Sequence, residues 1–534
     1  MMGRIAADFD IRQLPGDPRT KTALLIAPPV YDTQYWAEWS QPYGLTRITA
    51  LLKKHRYKRI EFFDFLETDE DRQVQQRRIR VGEKYGACDE PTRPLLPYVV
   101  EKDGQRLELP KYHFGKSWQE FDAWLDAQGF SQRHPPTEIW ISAVMTYWWE
   151  STRDLITRLR NKLGERPRII LGGIYPSLAP KHAARYTGAD IVVAGEVKEA
   201  NDLWNDLSFY ATPPVYSIIT PSRGCPFNCS YCAQRQLNDG RNFVHFRPID
   251  DILAEMRFNY ETYGIRDFCF YADFLLWRFQ ENLMPLLKRV VAEKLPFRFY
   301  APEGLDVNML AQSQELVDLL KQARFQKIYL PCESLDDAYV KTLNRKHVKL
   351  HHFVKAAAMC EKAGFKLRNL DVNAFVLYGL PGEKIDRVVR TALFVSDVVG
   401  SIIPMLFTPV PSTALFENCK PWLMEHGWHE RDLHFINGKL FPFLNMNEGS
   451  VADYIDLQRM MFMLNSHYRS ESFQVYGDTR VSISFRHNIA NGFGGFIEQQ
   501  KQSPQPMISI RLPKSNPPAI RHIDIPLAPQ PVAE

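Results

Sequence analysis

Cys225, Cys229 and Cys232 lie in the run Ile219-Thr220-Pro221-Ser222-Arg223-Gly224-Cys225-Pro226-Phe227-Asn228-Cys229-Ser230-Tyr231-Cys232, a C-x3-C-x2-C spacing. That spacing lets one short loop wrap three thiolates around one face of an iron–sulfur cube. A cubic cluster normally takes four thiolates, so three from the protein leave one iron open to a ligand from outside. Three neighbouring cysteines can also serve zinc or sit buried as apolar fillers. Zinc sites usually close with a fourth Cys or His, commonly as a second pair at a distance, and the chain has no second C-x2-C pair. Cys88, Cys269, Cys332, Cys360 and Cys419 are scattered, and the default for each is a small buried hydrophobe.

The 534 residues that must position this loop are enough for several domains. A hydrophobic content of 45% can supply sizeable cores, and a net charge of +4 gives no electrostatic case for nucleic acid or membrane binding. Met1 to Thr20 is polar, lacks the apolar stretch of a signal peptide, and is expected to be flexible. No apolar run reaches membrane-spanning length. Eight cysteines without a secretion signal predict a reducing, cytoplasmic setting and metal use, not a disulfide frame. From 500 to 534 the prolines, Pro504, Pro506, Pro513, Pro517, Pro518, Pro526, Pro529 and Pro531, predict a disordered tail.

Between these ends the pattern is α/β. Thr22–Ala27 is a continuous apolar run, expected of a strand buried on both faces. A helical pattern follows at Leu45, Ile48, Leu51 and Leu52, then a strand at Arg59–Phe65. The charged stretch 67–136 is too long for an ordinary loop and is expected to be an insertion with a helix over Ser117–Gln128. Strands at Glu138–Val144, Arg168–Leu171 and Asp190–Glu196 alternate with helices at Glu150–Leu163 and Pro180–Tyr186, which implies a doubly wound parallel sheet over 21–210. Ligands of such sheets lie at the carboxyl ends of the strands. Beyond Val215 the alternation continues with strands at Tyr216–Thr220, Asp267–Ala272, Phe297–Ala301, Lys327–Pro331, Val372–Tyr378 and Ile402–Phe407.

The cysteine loop closely resembles that of the radical S-adenosylmethionine (SAM) enzymes, and 211–420 resembles their partial (β/α)6 barrel. The resemblance implies a [4Fe-4S] cluster held by Cys225, Cys229 and Cys232, with SAM on the open iron. It implies a site residue at each strand exit. Asp273 is the carboxylate placed to meet the SAM ammonium; it can equally serve as a helix cap. Pro302-Glu303-Gly304-Leu305 resembles the family's P-x-G-L turn, with Glu303 able to point inward. Pro331-Cys332-Glu333-Ser334 stands where G-x-E-S is usual, so Glu333 and Ser334 are expected on the ribose or methionine end of SAM. Cys332 is a hydrogen-atom donor candidate or a buried filler. Arg345 matches an L-x-R pattern suited to a carboxylate or to a solvated helix end. Gly379 and Gly382, in Gly379-Leu380-Pro381-Gly382-Glu383, are expected to let backbone approach the adenine, and Ser412 replaces a usual Gly at the last exit.

Residues 21–205 resemble the cobalamin-binding domain that precedes the barrel in one radical SAM subgroup. Gly172, Gly173 and Tyr175 after one strand, and Gly195 and Glu196 after another, are the implied contacts. The D-x-H-x-x-G loop of other cobalamin proteins is absent, so a cobalt without a protein imidazole beneath is expected. Gln34, Tyr35, Trp36 and the Met145–Trp149 stretch, Thr146 included, either face that side or pack in the core. A mostly helical cap is expected over 421–499, with His434, Asn437 and Lys439 as polar candidates.

These features together predict a cobalamin-dependent radical SAM enzyme that methylates an unactivated carbon. Cyclisation, rearrangement or oxidation, with or without cobalamin, is the alternative. An electron donor such as flavodoxin or ferredoxin is implied, and no motif specifies the substrate, small molecule or peptide.

Overall fold

The computed structural model describes residues 2–33, 41–67 and 92–438, apart from 103–104, 239, 241–242, 346–347 and 368–369. It also describes 447, 454, 457–458, 460–462 and 464–465, and the backbone of 496–499, 507–513 and 520–526. The chain forms two compact units. One comprises Met1–Leu275, Lys294–Phe299 and Thr408–Leu440; the other comprises Leu276–Glu293, Tyr300–Phe407 and Phe441–Glu534.

The first unit begins with strands β1 (Arg4–Ala6), β2 (Thr22–Ala27), β3 (Val30–Asp32), β4 (Arg59–Asp64), β5 (Thr92–Lys102), β6 (Gln105–Phe114), β7 (Glu138–Ser142), β8 (Arg168–Gly172) and β9 (Ile191–Val193). Six of them form a parallel sheet in the order β1-β9-β8-β7-β2-β4. Helices α1 (Tyr43–Lys54), α2 (Trp118–Ala127) and α3 (Trp149–Leu163) accompany it. β2 is central, and its Leu24, Leu25 and Ile26 are fully buried, which is why it reads as an unbroken apolar run. Chain order reverses between β2 and β7. The crevice at their carboxyl ends is therefore the switch point at which such sheets take ligands.

At the opposite, amino ends of these strands two charges are buried together. Lys21 Nζ lies 2.8 Å from Glu138 Oε1, and the Tyr57 hydroxyl donates to Glu138 Oε2 at 2.8 Å.

Two expectations for this unit need correction. Residues 1–20 are not a loose leader: β1 pairs with β9, and Phe9, Ile11 and Leu14 join the core that contains Leu25, Leu51 and Trp140. A three-residue edge strand among polar residues leaves little periodicity to detect. The insertion, expected to hold a helix, also holds a hairpin, β5 on β6, with β3 paired to β6. Its helix α2 begins where expected, because Ser117 and Glu120 form a reciprocal capping box. Residues 68–91 lie outside the described part.

All six barrel strands are present. β10 (Tyr216–Ile219), β13 (Asp267–Phe270) and β14 (Arg298–Tyr300) form one three-stranded sheet, with a short antiparallel pair, β11 (Ser222–Arg223) and β12 (His245–Phe246), beside the cysteine loop. In the second unit β15 (Ile328–Pro331), β16 (Val372–Tyr378) and β17 (Ile402–Leu406) form another, parallel throughout. A helix at Ala414–Glu425 and a 3-10 turn at Leu433–Ile436 belong to the first unit, and the described positions from Tyr454 to Asn465 are helical.

The tail also departs from expectation. β18 (Phe496–Gln499), β19 (Met507–Pro513) and β20 (Ile520–Pro526) form an antiparallel sheet. The prolines inside the described strands of this sheet, Pro513 and Pro526, are the last residues of β19 and β20, and β19 alternates apolar and polar from Ile508 to Leu512.

Candidate functional site

The cysteine loop leaves β10 and turns at Gly224, whose φ is +98°. A Cβ there would run into the Phe243 carbonyl oxygen, so only glycine lets the loop pass the segment that leads into β12. Cys225 is half-buried, Cys229 buried and Cys232 exposed. The Cys232 N–H donates to the Cys229 carbonyl at 3.1 Å, and the Gln234 N–H points at Cys232 Sγ, 3.5 Å away. Burial pushes the Cys225 thiol up to about 12, helped by the Cys232 and Cys229 sulfurs, so metal loading must displace a proton from it. Among the described residues no three His, Cys, Asp or Glu side chains converge on one ion. A cubane, with each thiolate on a different iron, does not ask for that, and the three sulfurs on one short loop fit it.

Asp273 and Glu196 are both drawn to this loop. Asp273 Oδ2 accepts from the Gly224 N–H at 2.7 Å and from Gln234 Nε2 at 2.6 Å, and no helix starts at Asp273 for it to cap. Glu196 Oε1 accepts from Arg223 at 2.8 Å, and its Oε2 accepts from Asn201 Nδ2 at 2.8 Å. Glu196 therefore joins the β9 exit to the residue before Gly224. Phe227 of the loop packs edge-on against Phe274, ring centres 5.3 Å apart.

At the sheet exits Gly173 has φ +108°, and a Cβ on it would strike the Ala143 carbonyl oxygen. Gly195 has φ +112°. Ser177 Oγ ties the two exits together, donating to the Gly173 carbonyl at 2.7 Å and accepting from the Gly195 N–H at 3.0 Å. Around Gly172 and Gly173 stand Val144, Met145 and Ile174, large apolar side chains left 39–41% exposed. An apolar rim at the carboxyl ends of β7 and β8, beside the switch point, is a surface a flat organic cofactor would cover.

Not every candidate near this rim reaches it. Tyr175 is fully buried, and its hydroxyl bonds His182 Nδ1 at 2.7 Å while His182 Nε2 bonds the Arg431 carbonyl at 3.2 Å. Burial drives His182 down to about 4, so it is neutral and accepts at Nδ1. Thr146 is buried at the start of the turn Thr146–Trp148. Asn437 donates to Asp32 Oδ1 at 3.2 Å, and Trp148 Nε1 donates to Asp32 Oδ2 at 2.9 Å. His434 stacks on Tyr98. Gln34, Tyr35, Trp36 and Lys439 lie outside the described residues.

The second unit gathers the other expected SAM contacts into two groups. Glu333, buried, pairs with Arg345 at 3.0 Å, so two residues expected to meet SAM separately meet each other. Ser334 Oγ accepts from the Asp336 N–H at 3.2 Å, and Glu303 is exposed. Gly379 and Gly382 both have positive φ, 83° and 78°. The Gly379 N–H donates to Glu383 Oε2 at 2.6 Å, and the Gly382 N–H donates to Asn447 Oδ1 at 2.7 Å. Burial pushes the Glu383 carboxyl up to about 8, with Glu333 adding repulsion. Glu383 and Asn447 are the residues sequence reasoning passed over. Glu383 was visible as the last letter of the glycine turn, whereas Asn447 has no motif.

Cys332 extends β15, its N–H donating to the Phe375 carbonyl at 3.0 Å. By strand alternation it shares a face with Ile328 and Leu330, both fully buried, opposite the face of the stacked pair Tyr329 and Phe375. The buried-filler role suits that position, and burial keeps the group a thiol.

Comparison with known proteins places these features in context. Residues 219–395 match the family model of the radical SAM superfamily. An uncharacterized methyltransferase of Synechocystis sp. is 28% identical over 37% of this chain and 36% of its own length. One of Pyrococcus horikoshii is 23% identical over 38% of this chain and 41% of its own. The matched region thus spans about two fifths of these curated relatives. In fold, the radical SAM methyltransferase TsrM from Kitasatospora setae, solved with cobalamin and a [4Fe-4S] cluster, superposes with a TM-score of 0.51 at 14% identity, covering 76% of this chain and 78% of TsrM.

Proposed function

This chain is an enzyme with a radical SAM domain, and from that premise we propose that it is a cobalamin-dependent methyltransferase acting on an unactivated carbon. The observation that carries the cobalamin half is the β7–β8 exit: Gly173, whose Cβ position is taken by the Ala143 carbonyl oxygen, beside exposed Val144, Met145 and Ile174. Cys225, Cys229 and Cys232 would hold the [4Fe-4S] cluster, and Gly172, Gly173, Gly195 and Ser177 would line the corrinoid's seat. When bound, the cluster and SAM supply a 5′-deoxyadenosyl radical and cobalamin supplies a transferable methyl group.

The chain's own residues bind and orient. In the first unit Gly224 shapes the cysteine loop, and in the second unit Gly379 and Gly382, both at positive φ, shape the turn after β16. Glu383, held neutral by burial, fixes the Gly379 turn without adding a charge. The reductant would be a flavodoxin or ferredoxin, and a reducing cytoplasmic setting fits the free thiols. Among the described residues no helix is long and apolar enough to cross a membrane.

The test is anaerobic reconstitution of the full chain with iron, sulfide and hydroxocobalamin, followed by reduction in the presence of methyl-deuterated SAM. The expected results are a corrinoid visible spectrum that survives gel filtration and release of 5′-deoxyadenosine. A chain that forms 5′-deoxyadenosine but retains no corrinoid overturns methyl transfer in favour of a cyclising, rearranging or oxidising enzyme. Transfer RNA methylthiolation, the activity named for a 21%-identical relative in Endomicrobium trichonymphae, is not favoured, because the region before Cys225 holds one cysteine, Cys88, for a second cluster.

A further inference from the structure

Asp273 sits just beyond β13, and one of its oxygens is committed twice. Oδ2 accepts from the Gly224 N–H, the residue before Cys225, and from Gln234 Nε2, two residues after Cys232. The two donors bracket the C-x3-C-x2-C segment. A single carboxylate oxygen thereby closes the loop's entrance onto its exit. The neighbouring contacts act in the same direction. Phe274 packs on Phe227 inside the loop, and Arg223 is fixed by Glu196 at the β9 exit. Burial raises the Asp273 carboxyl above its ordinary range, and the Arg223 charge opposes that shift.

We infer that Asp273 is a positioning residue that latches the cysteine loop in its ligating shape, with Gln234 as its second hydrogen-bond donor. This rests on reading the loop as a cluster site. It differs from a direct contact to the SAM ammonium in what it needs. A latch needs an acceptor oxygen at Asp273 and a donor at Gln234; an ammonium contact needs a negative charge at Asp273 and nothing from Gln234.

Asp273→Ala, Asp273→Asn and Gln234→Ala are compared with the parent chain after anaerobic reconstitution. Iron and sulfide per chain, the electron paramagnetic resonance signal of the reduced cluster, and its change on adding SAM are measured. Hydrogen exchange of peptides spanning 222–236 is followed in the metal-free proteins, and circular dichroism checks the fold. Outer-shell partners of metal ligands are typically worth about ten- to a hundred-fold in affinity. The latch predicts a loss of that order in cluster retention for Asp273→Ala and a smaller loss for Gln234→Ala. Asp273→Asn, which keeps an acceptor, stays within about threefold of the parent on the same scale. Loop peptides exchange faster in Asp273→Ala even without metal. Parent-like iron and exchange in both alanine variants, with the SAM-induced spectral change lost in Asp273→Asn, would overturn the latch and make Asp273 a SAM contact. A parent chain that takes up no cluster would sink the proposed function instead; exchange in the metal-free loop still decides the latch.

Discussion

Glu383 gives the second unit a pH dependence with a definite sign. Its native pKa is raised from 4.5 to about 8, so the fold favours the protonated form. Its stabilising contribution is complete below pH 4.5 and is lost as pH rises through about 8. Between those limits the group costs about 1.4 kcal/mol of stability per pH unit. Glu383→Gln keeps an acceptor for the Gly379 N–H and removes the titration. Urea unfolding at pH 5.5 and 8.5 is expected to show a falling midpoint for the parent and a flatter response for the variant; parallel responses would refute the assignment. At this scale the cysteines and the glycine turns could be named as candidates from the sequence, because their chemistry is tied to spacing, whereas the contacts of Asp273 to Gly224 and Gln234 could not. Partners could not. That Arg345 belongs to Glu333, Tyr175 to His182 and Glu196 to Arg223 depends on how the turns between them fold, which no motif states.

At the scale of elements the sheet was legible wherever a strand is buried on both faces. β2 and β7 read as apolar runs, whereas edge strand β1 and the half-exposed hairpin β5–β6 did not. The β8 exit depends on its glycine. Gly173→Ala places a Cβ against the Ala143 carbonyl at φ +108° and is expected to cost about 1–3 kcal/mol. It should abolish corrinoid retention while leaving iron content unchanged, as read by visible spectrum and metal analysis; corrinoid bound at parental levels would count against the proposed seat. At the other end of the same strands, Lys21→Met leaves the Glu138 carboxylate buried beside Tyr57 without its cation. A loss of about 3–5 kcal/mol is expected in chemical denaturation. Adding Glu138→Gln should restore part of that loss, because the uncompensated charge disappears.

For the molecule as a whole, a division into two compact units predicts additive behaviour for substitutions in different units. Lys21 belongs to one and Glu383 to the other, so the stability changes of Lys21→Met and Glu383→Gln should sum to within about 0.5 kcal/mol in the double variant. A larger coupling in calorimetry would mean that the two sites are energetically linked.

The first unit also takes its last segment from Thr408–Leu440, well after its first 275 residues. That late segment supplies the Leu415 N–H that donates to the Ser230 carbonyl inside the cysteine loop at 2.8 Å, and the Asn437 amide that reaches Asp32. Ribosomes add about 5–20 residues per second. The loop is therefore made roughly ten to forty seconds before its final strut. During that interval the loop lacks the Leu415 strut, and a cluster that needs the finished loop would be inserted after translation. Slow expression at low oxygen, with iron supply sustained after induction ends, is the condition under which this chain should be recovered metallated.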